Sequence, residues 1–220
     1  KTPPSLSPLR KQAGYGKMDK QRQPDTEDDM KRRGIVYNSP VVLTFSLLSL
    51  AVLLISQATG GTLMNRYFTL YRSSWSDPLT YLRLFTHVLG HASGEHYSGN
   101  IMLLLLTGPM LEEKYGSRRL LLVILCTALT TGILHLFLFP QYGVLGASGI
   151  VFAFILLSSI TGSRSGQIPL TLIVVAVLYL GGEVLDAVLG TNQEVSQFAH
   201  IIGGVVGAAS GYLFLPQHTE

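Results

Sequence analysis

The chain has 220 residues, of which 47% are hydrophobic and only 13% charged. A soluble globular domain carries about 25% charged residues, so this composition excludes a typical soluble protein. The net charge of +3 is unevenly placed, because nine of the sixteen Lys and Arg residues lie before Gly34. No basic cluster marks a folded face, so we expect no nucleic-acid partner.

Residues 1–36 are rich in Lys, Arg, Asp, Gln and Pro and lack a hydrophobic face. This composition predicts a disordered polar tail, without the apolar core of a signal peptide. The single cysteine, Cys126, lies in an apolar run and excludes a disulfide within the chain and a cysteine-based zinc site. We interpret it as a small core or lipid-facing residue.

Apolar segments follow the tail. A membrane-spanning helix needs about 20 mostly apolar residues. Six segments approach that length, at about 40–59, 97–113, 119–139, 148–163, 168–189 and 197–215. The second and fourth are short or polar in their first turn, and the polar residues of interest lie there. The sequence therefore predicts an all-α membrane protein with six transmembrane helices.

Basic residues predict the orientation of these helices. If the N-terminus is cytoplasmic, thirteen of the sixteen basic residues face the cytoplasm, in the tail, in the loop at 114–119 and at Arg164. The outer side keeps only three, Arg66, Arg72 and Arg83. This asymmetry follows the positive-inside rule and places both termini in the cytoplasm. The long outer segment at 60–96 contains Trp and Tyr, which favour the membrane interface.

The segment Gly146-Ala147-Ser148-Gly149 opens the fourth span. Glycine permits a tight turn there, and the unpaired N–H groups of a helix N-terminus suit a developing oxyanion. Ser148 is therefore a candidate nucleophile. The alternative is that these small residues only allow close helix packing or capping.

His200 opens the sixth span. A histidine in a membrane helix normally faces the bundle interior and marks a functional site. Gly203, Gly204 and Gly207 lie on its face, with Gly211 one turn further. Such a glycine face lets another helix approach closely, and it equally serves as a simple packing surface. It would allow a serine on one helix to reach His200 on another.

His96 and Asn100 are four residues apart at the start of the second span, so they share a helix face. Two polar donors there could stabilise an oxyanion, or could hydrogen-bond between helices. His87 and His91 have the same spacing, which leaves a metal site open. No H-E-x-x-H motif accompanies them, so we expect structural hydrogen bonds in the outer loop and no metal.

Four other polar residues receive structural interpretations. We expect His135 to cap the third span or face the interface, and Glu183 and Asp186 to be exposed acids near the fifth span. Gly116 predicts the end of the second helix, and Glu112 precedes it as a brace for the cytoplasmic loop.

Taken in chain order, these motifs resemble the rhomboid family of intramembrane serine proteases. The resemblance covers about residues 40–215 and implies a six-helix rhomboid-like domain at 37–217, after the tail at 1–36. The matching elements are Arg83 and Phe85-Thr86-His87, the run from His91 through His96 to Asn100, Gly108 to Gly116 with Glu112, Gly146-x-Ser148-Gly149, and Ala199-His200-x-x-Gly203-x-x-x-Gly207.

The resemblance implies a role for each of these residues. Ser148 would be the nucleophile and His200 its general base, as a dyad without an acid. His96, Asn100 and the Ser148 backbone N–H would form the oxyanion hole. The supporting residues would be Gly146, Gly149, Phe152, Gly203 and Gly207. No cofactor or metal is implied.

The family cuts transmembrane segments of membrane proteins near their outer ends. The implied partners are single-pass or other transmembrane substrates and the lipid bilayer, and the implied location is a bacterial plasma membrane with the site facing outward. Two residues depart from the family pattern, Leu82 where Trp is frequent and Phe152 where Tyr is frequent. The alternatives are a rhomboid-like pseudoprotease that binds clients without cutting them and a small transporter.

Overall fold

The computed structural model describes residues 37–162, 170, 174 and 194–214. Six helices lie in these ranges: α1 Pro40–Ala58, α2 Pro78–Thr86, α3 Gly94–Tyr115, α4 Ser117–Leu138, α5 Ser148–Gly162 and α6 Glu194–Phe214. Short helical turns at Met64–Phe68 and His87–Leu89 lie between α1 and α3. Within the described ranges there is no strand, and one isolated β-bridge pairs Leu70 with Val144. The expectation of an all-α fold is confirmed for this part of the chain.

Five of the six predicted spans coincide with helices, and the second begins three residues earlier than the sequence indicated. The predicted span at 168–189 lies outside the described residues apart from 170 and 174. By length and composition, α1 and α4 are apolar enough to cross a membrane. Two shorter apolar stretches, Ser148–Thr161 and Ile201–Ser210, belong to α5 and α6.

The N-terminus of α1 is capped by a residue far away in sequence. Ser39 makes no side-chain cap, and Pro40 occupies the first turn. The buried carboxylate of Glu112 instead accepts hydrogen bonds from the backbone N–H groups of Val41 at 2.9 Å and Val42 at 3.1 Å. It also accepts the Ser117 hydroxyl proton at 2.7 Å. Glu112 thus joins α1, α3 and α4 at one end of the bundle, a wider brace than the sequence predicted.

The ends of α3 follow local sequence signals. Ser93 caps its N-terminus by accepting a hydrogen bond from the His96 backbone N–H at 3.1 Å. Gly116 ends it with a φ of 81°, which glycine adopts without a steric penalty, and α4 begins at the next residue. The predicted helix stop at Gly116 is confirmed.

The segment between α1 and α3, which the sequence predicts to lie on the outer side, is anchored by a buried arginine. Arg83 is 2% exposed, and its Nε donates to the Arg66 carbonyl at 2.9 Å. Its guanidinium lies 4.3 Å from the Tyr71 ring centroid and 3.6 Å from the Asp77 carboxylate. The neighbouring Leu82 is exposed, so this anchor does not depend on the residue that departs from the family pattern.

α5 packs against α6 with almost no side chain between their backbones. A Cβ placed on Gly203 would overlap the Gly149 carbonyl group, and one placed on Gly207 would overlap the backbone of Ala153. Only glycine permits such an approach at these two positions. The glycine face predicted for the sixth span is therefore the contact surface with the helix that begins at Ser148.

Candidate active site

Ser148 is the first residue of α5 and is half-buried. The chain reaches it through Gly146, whose φ of 126° is a conformation that residues with a Cβ rarely adopt. The loop before it is held by main-chain bonds. Leu70 and Val144 exchange two hydrogen bonds of 2.9 and 2.8 Å, and the Gly146 N–H donates to the His87 carbonyl at 2.9 Å. These bonds fix the position of the serine relative to the outer segment.

The first turn of α6 lies against the first turn of α5. A Cβ on Gly149 would lie 3.2 Å from the Ala199 carbonyl oxygen, and Ser148 and Ala199 line the same small cavity. His200 directly follows Ala199 in α6. The structure thus brings the backbone at His200 next to the turn that carries Ser148, while the His200 side chain lies outside the described part of the chain.

His96 lies against the loop that leads to Ser148. A Cβ on Gly146 would lie 2.9 Å from His96 Nε2. On the other side of the ring, Nδ1 accepts a long hydrogen bond of 3.4 Å from the Ala92 N–H. In a neutral ring the proton is then on Nε2, which becomes a donor beside Gly146.

Asn100 lies one helical turn after His96 in α3. It is 6% exposed, and its Nδ2 has no hydrogen-bond partner among the residues that the structure describes. A buried amide donor normally has a partner, so this one is available to an acceptor that the described residues do not supply. Both oxyanion candidates from the sequence therefore present a donor on the same face of α3.

A polar cavity adjoins Ser148. Its volume is about 10 Å³, close to the space that one water requires. Four polar side chains take part in its lining, besides Ser148: His87, Thr127, Thr131 and His135. Thr127 Oγ1 and His135 Nδ1 are buried without a hydrogen-bond partner in the described ranges. The cavity therefore combines the space and the chemistry to hold one water beside the serine.

His135 does not cap its helix or face the interface as the sequence indicated. It is 3% exposed, and its Nε2 donates to the Tyr142 carbonyl at 2.9 Å. Sequence reasoning also missed Thr127 and Thr131 as neighbours of the serine. Their spacing with His135, at steps of four along α4, was the available signal, because it puts all three on one helix face.

His87 and His91 make the loop hydrogen bonds that we expected. His87 Nδ1 donates to the Arg83 carbonyl at 3.0 Å, and His91 Nδ1 donates to the Leu89 carbonyl at 3.2 Å. Burial lowers the pKa of His87 to about 4, despite the opposing effect of its hydrogen bond to Arg83. Burial, and then the proximity of His96, lowers the pKa of His91 to about 4. Both rings are neutral near pH 7.

The remaining site predictions have separate outcomes. Phe152 is buried, and its ring lies against α6, where a Cβ on Gly204 would be 2.7 Å away. No group of three His, Cys, Asp or Glu side chains with the geometry for a metal occurs in the searched ranges 37–162 and 194–214. Glu183 and Asp186 lie outside the described residues.

Comparison with known proteins matches the part of the chain that contains the candidate active site. A family model for the Rhomboid domain matches residues 78–217. The rhomboid protease GlpG of an Enterobacter species is 30% identical over 135 residues, which is 59% of this chain and 47% of that protein. Rhomboid protease GlpG from Salmonella paratyphi A is 29% identical over 136 residues, 60% of this chain and 48% of that protein. The chain spans about half the length of these relatives.

The matched region begins at α2 and contains every residue placed around the cavity. It covers well over half of the chain, and the relatives that share it carry the family name. The resemblance drawn from the motifs is confirmed: the chain belongs to the rhomboid family.

Proposed function

We propose that this protein is an intramembrane serine endopeptidase with Ser148 as nucleophile and His200 as general base. The observation that supports this most directly is the contact between the first turns of α5 and α6. Gly149 and Ala199, each adjacent in sequence to one member of the pair, approach so closely that a Cβ on Gly149 would touch the Ala199 carbonyl. This backbone contact supports the proposed pairing, because Ser148 and His200 are the sequence neighbours of the two residues that touch.

In the proposed reaction, Ser148 Oγ attacks the carbonyl carbon of a peptide bond while His200 takes the hydroxyl proton. The amine product leaves with a proton from His200, and an acyl-enzyme remains on Ser148. A water then loses a proton to His200 and attacks the ester, and His200 returns that proton to Ser148 Oγ as the acid product leaves. The cavity lined by His87 and Thr131 adjoins Ser148, so it supports the proposal as a place from which that water could come.

Three donors would stabilise the oxyanion. They are the backbone N–H of Ser148, at a helix position without an intrahelical partner, His96 Nε2–H and the Asn100 amide. Loss of one such donor costs about 10²–10³ in rate. The unpartnered Asn100 Nδ2 and the placement of His96 beside Gly146 support this assignment.

The membrane arrangement of the proposal follows the sequence. Six spans with both termini in the cytoplasm would place Ser148 and His200 at the outer ends of their helices. The substrates would be transmembrane segments of other membrane proteins, cut near their outer ends. The bacterial origin of the relatives supports a bacterial plasma membrane.

A fluorophosphonate probe tests the nucleophile without knowledge of the substrate. We expect labelling of the purified protein, and we expect Ser148→Ala and His200→Ala each to abolish it while circular dichroism and melting remain unchanged. Ser159→Ala is the matched control, because Ser159 lies on the same helix and its hydroxyl donates to the Ile155 carbonyl one turn earlier. Labelling that persists in Ser148→Ala contradicts the nucleophile assignment. Absence of labelling in the wild type supports the pseudoprotease alternative.

A further inference from the structure

An apolar groove lies between α1 and α4, the two helices that are long and apolar enough to cross a membrane. On the α1 side it is lined by Pro40, Phe45 and Leu48, and on the α4 side by Leu121 and Leu125. Leu48 is 51% exposed and Leu121 is 45% exposed. These side chains would face hydrocarbon, so the groove is open to lipid.

The groove has the length of one lipid leaflet. It follows α1 from Pro40 to Leu48 and α4 from Ser117 to Leu125, which is about 12 Å along each helix at 1.5 Å per residue. Phe85 and Leu89 line its other end. The hydrocarbon core of a bilayer is about 30 Å thick, or about 15 Å for each leaflet. A chain that enters at the Ser117 end therefore fills the groove within its own leaflet.

A cationic residue directly follows Ser117 at one end of the groove. Arg118 follows Ser117, which lines the groove, and it is exposed. It precedes Leu121 by three residues and Leu125 by seven, so it shares their face of α4. Within the described ranges Arg118 forms no ion pair. The next residue, Arg119, instead lies over the Phe214 ring, 5.9 Å from its centroid, on the side of α6.

We infer that this groove binds one acyl chain of an anionic phospholipid, whose phosphate pairs with Arg118. The chain end would pack against Val88, which lines the groove on one side and the cavity beside Ser148 on the other. The lipid would thereby complete the outer wall of the region around the candidate active site. This binding site is separate from Ser148 and His200, so the inference is testable in inactive protein.

Native mass spectrometry of the Ser148→Ala protein with added phosphatidylglycerol or phosphatidylcholine measures the binding. We expect one phosphatidylglycerol to be retained more strongly than phosphatidylcholine. Removal of the charge in Arg118→Gln should weaken retention of phosphatidylglycerol about fivefold, the usual contribution of one basic residue to an anionic lipid. Arg119→Gln is the matched control, because it removes the same charge on the other side of the helix.

Occupation of the groove is tested by filling it. Leu121→Trp should abolish the retained phosphatidylglycerol, whereas Leu122→Trp should not, because Leu122 is equally exposed but does not line the groove. Equal retention in Leu121→Trp and wild type overturns the inference. Equal retention of the two lipids, with no effect of Arg118→Gln, also overturns it and indicates ordinary annular lipid. Loss of a dimer in Leu121→Trp overturns it in favour of a second copy as the occupant.

Discussion

Gly146 determines where His96 lies relative to Ser148. Its φ of 126° turns the chain into α5, and its missing side chain leaves room for the imidazole, with His96 Cε1 2.8 Å from where a Cβ would be. Backbone strain and steric contact therefore both demand glycine here. The first glycine of the G-x-S-G motif is therefore required by its positive φ and by the space that the His96 ring occupies. Helix packing is not the reason for it.

Gly146→Ala should leave the serine present but displace an oxyanion donor. An alanine at this φ costs about 1–3 kcal/mol of stability, and the displaced His96 should lower the rate of probe labelling at Ser148 by about 10²–10³. His96→Ala should lower the rate similarly without the loss of stability. Labelling rate and melting temperature of both variants are the measurements.

Gly99→Ala is the control for this substitution, since a Cβ there meets no atom within 4 Å. Gly99→Ala should change neither the labelling rate nor the melting temperature. A Gly146→Ala protein that labels at the wild-type rate would mean that His96 is not a donor in the reaction.

At the scale of the helices, Glu112 provides the N-terminal cap that the sequence of α1 itself does not provide. The first turn of α1 contains proline and no acidic residue, and its N-terminal N–H groups are satisfied from α3. A carboxylate at this position also interacts favourably with the helix dipole. The start of α1 is thus held to α3 and α4 through one side chain, at the end of the bundle opposite Ser148.

Glu112→Gln should destabilise the fold without touching the candidate active site. The amide replaces one acceptor oxygen with a donor, which faces an N–H or hydroxyl donor and leaves a buried group unsatisfied at about 1–3 kcal/mol. Denaturant unfolding measures the difference. Glu113→Gln removes the same charge from an exposed neighbour and should leave the free energy of unfolding unchanged. Equal stability of the two variants would argue that the cap is unimportant.

The helices and the dyad candidates were predictable from sequence because their signals are local. Apolar length marks a span, Ser93 and Gly116 mark the ends of α3, and Ser148 and His200 each stand at the start of an apolar segment beside glycines. Thr127, Thr131 and His135 were not predictable as part of the site. A threonine in an apolar helix can donate its hydroxyl to the backbone one turn earlier, as Thr131 does to the Thr127 carbonyl at 2.7 Å, so its presence in the sequence does not indicate a site. Only the fold reveals that their face adjoins Ser148.

For the molecule as a whole, the two buried histidines in the segment before α3 make stability depend on pH. His87 and His91 are 2% and 1% exposed, and burial lowers the pKa of each to about 4. In the unfolded chain a histidine takes up its proton near pH 6.5. Below that pH the unfolded state binds more protons than the folded state, so protonation favours unfolding until the folded pKa is reached.

The free energy of unfolding should therefore be constant above about pH 6.5 and fall as the pH is lowered toward 4. Each histidine contributes up to about 1.4 kcal/mol per pH unit in this window. Denaturant unfolding at pH 7, 6 and 5 measures how the free energy of unfolding changes with pH. His91→Gln should reduce this slope by the contribution of one histidine. Identical stability at pH 7 and pH 5 would show that the two rings are not buried as neutral groups.

The pairing of Leu70 with Val144, together with the bond from Gly146 to the His87 carbonyl, has a consequence for how this protein tolerates sequence change. All three bonds join main-chain atoms, so no side-chain substitution removes a partner, and only proline would remove a donor N–H. The outer segment can therefore diverge in its side chains, as at Leu82, while the loop that carries the serine keeps its place. The chain is 30% identical to one relative over 135 residues, and these main-chain bonds can hold Ser148 in position while the surrounding side chains differ.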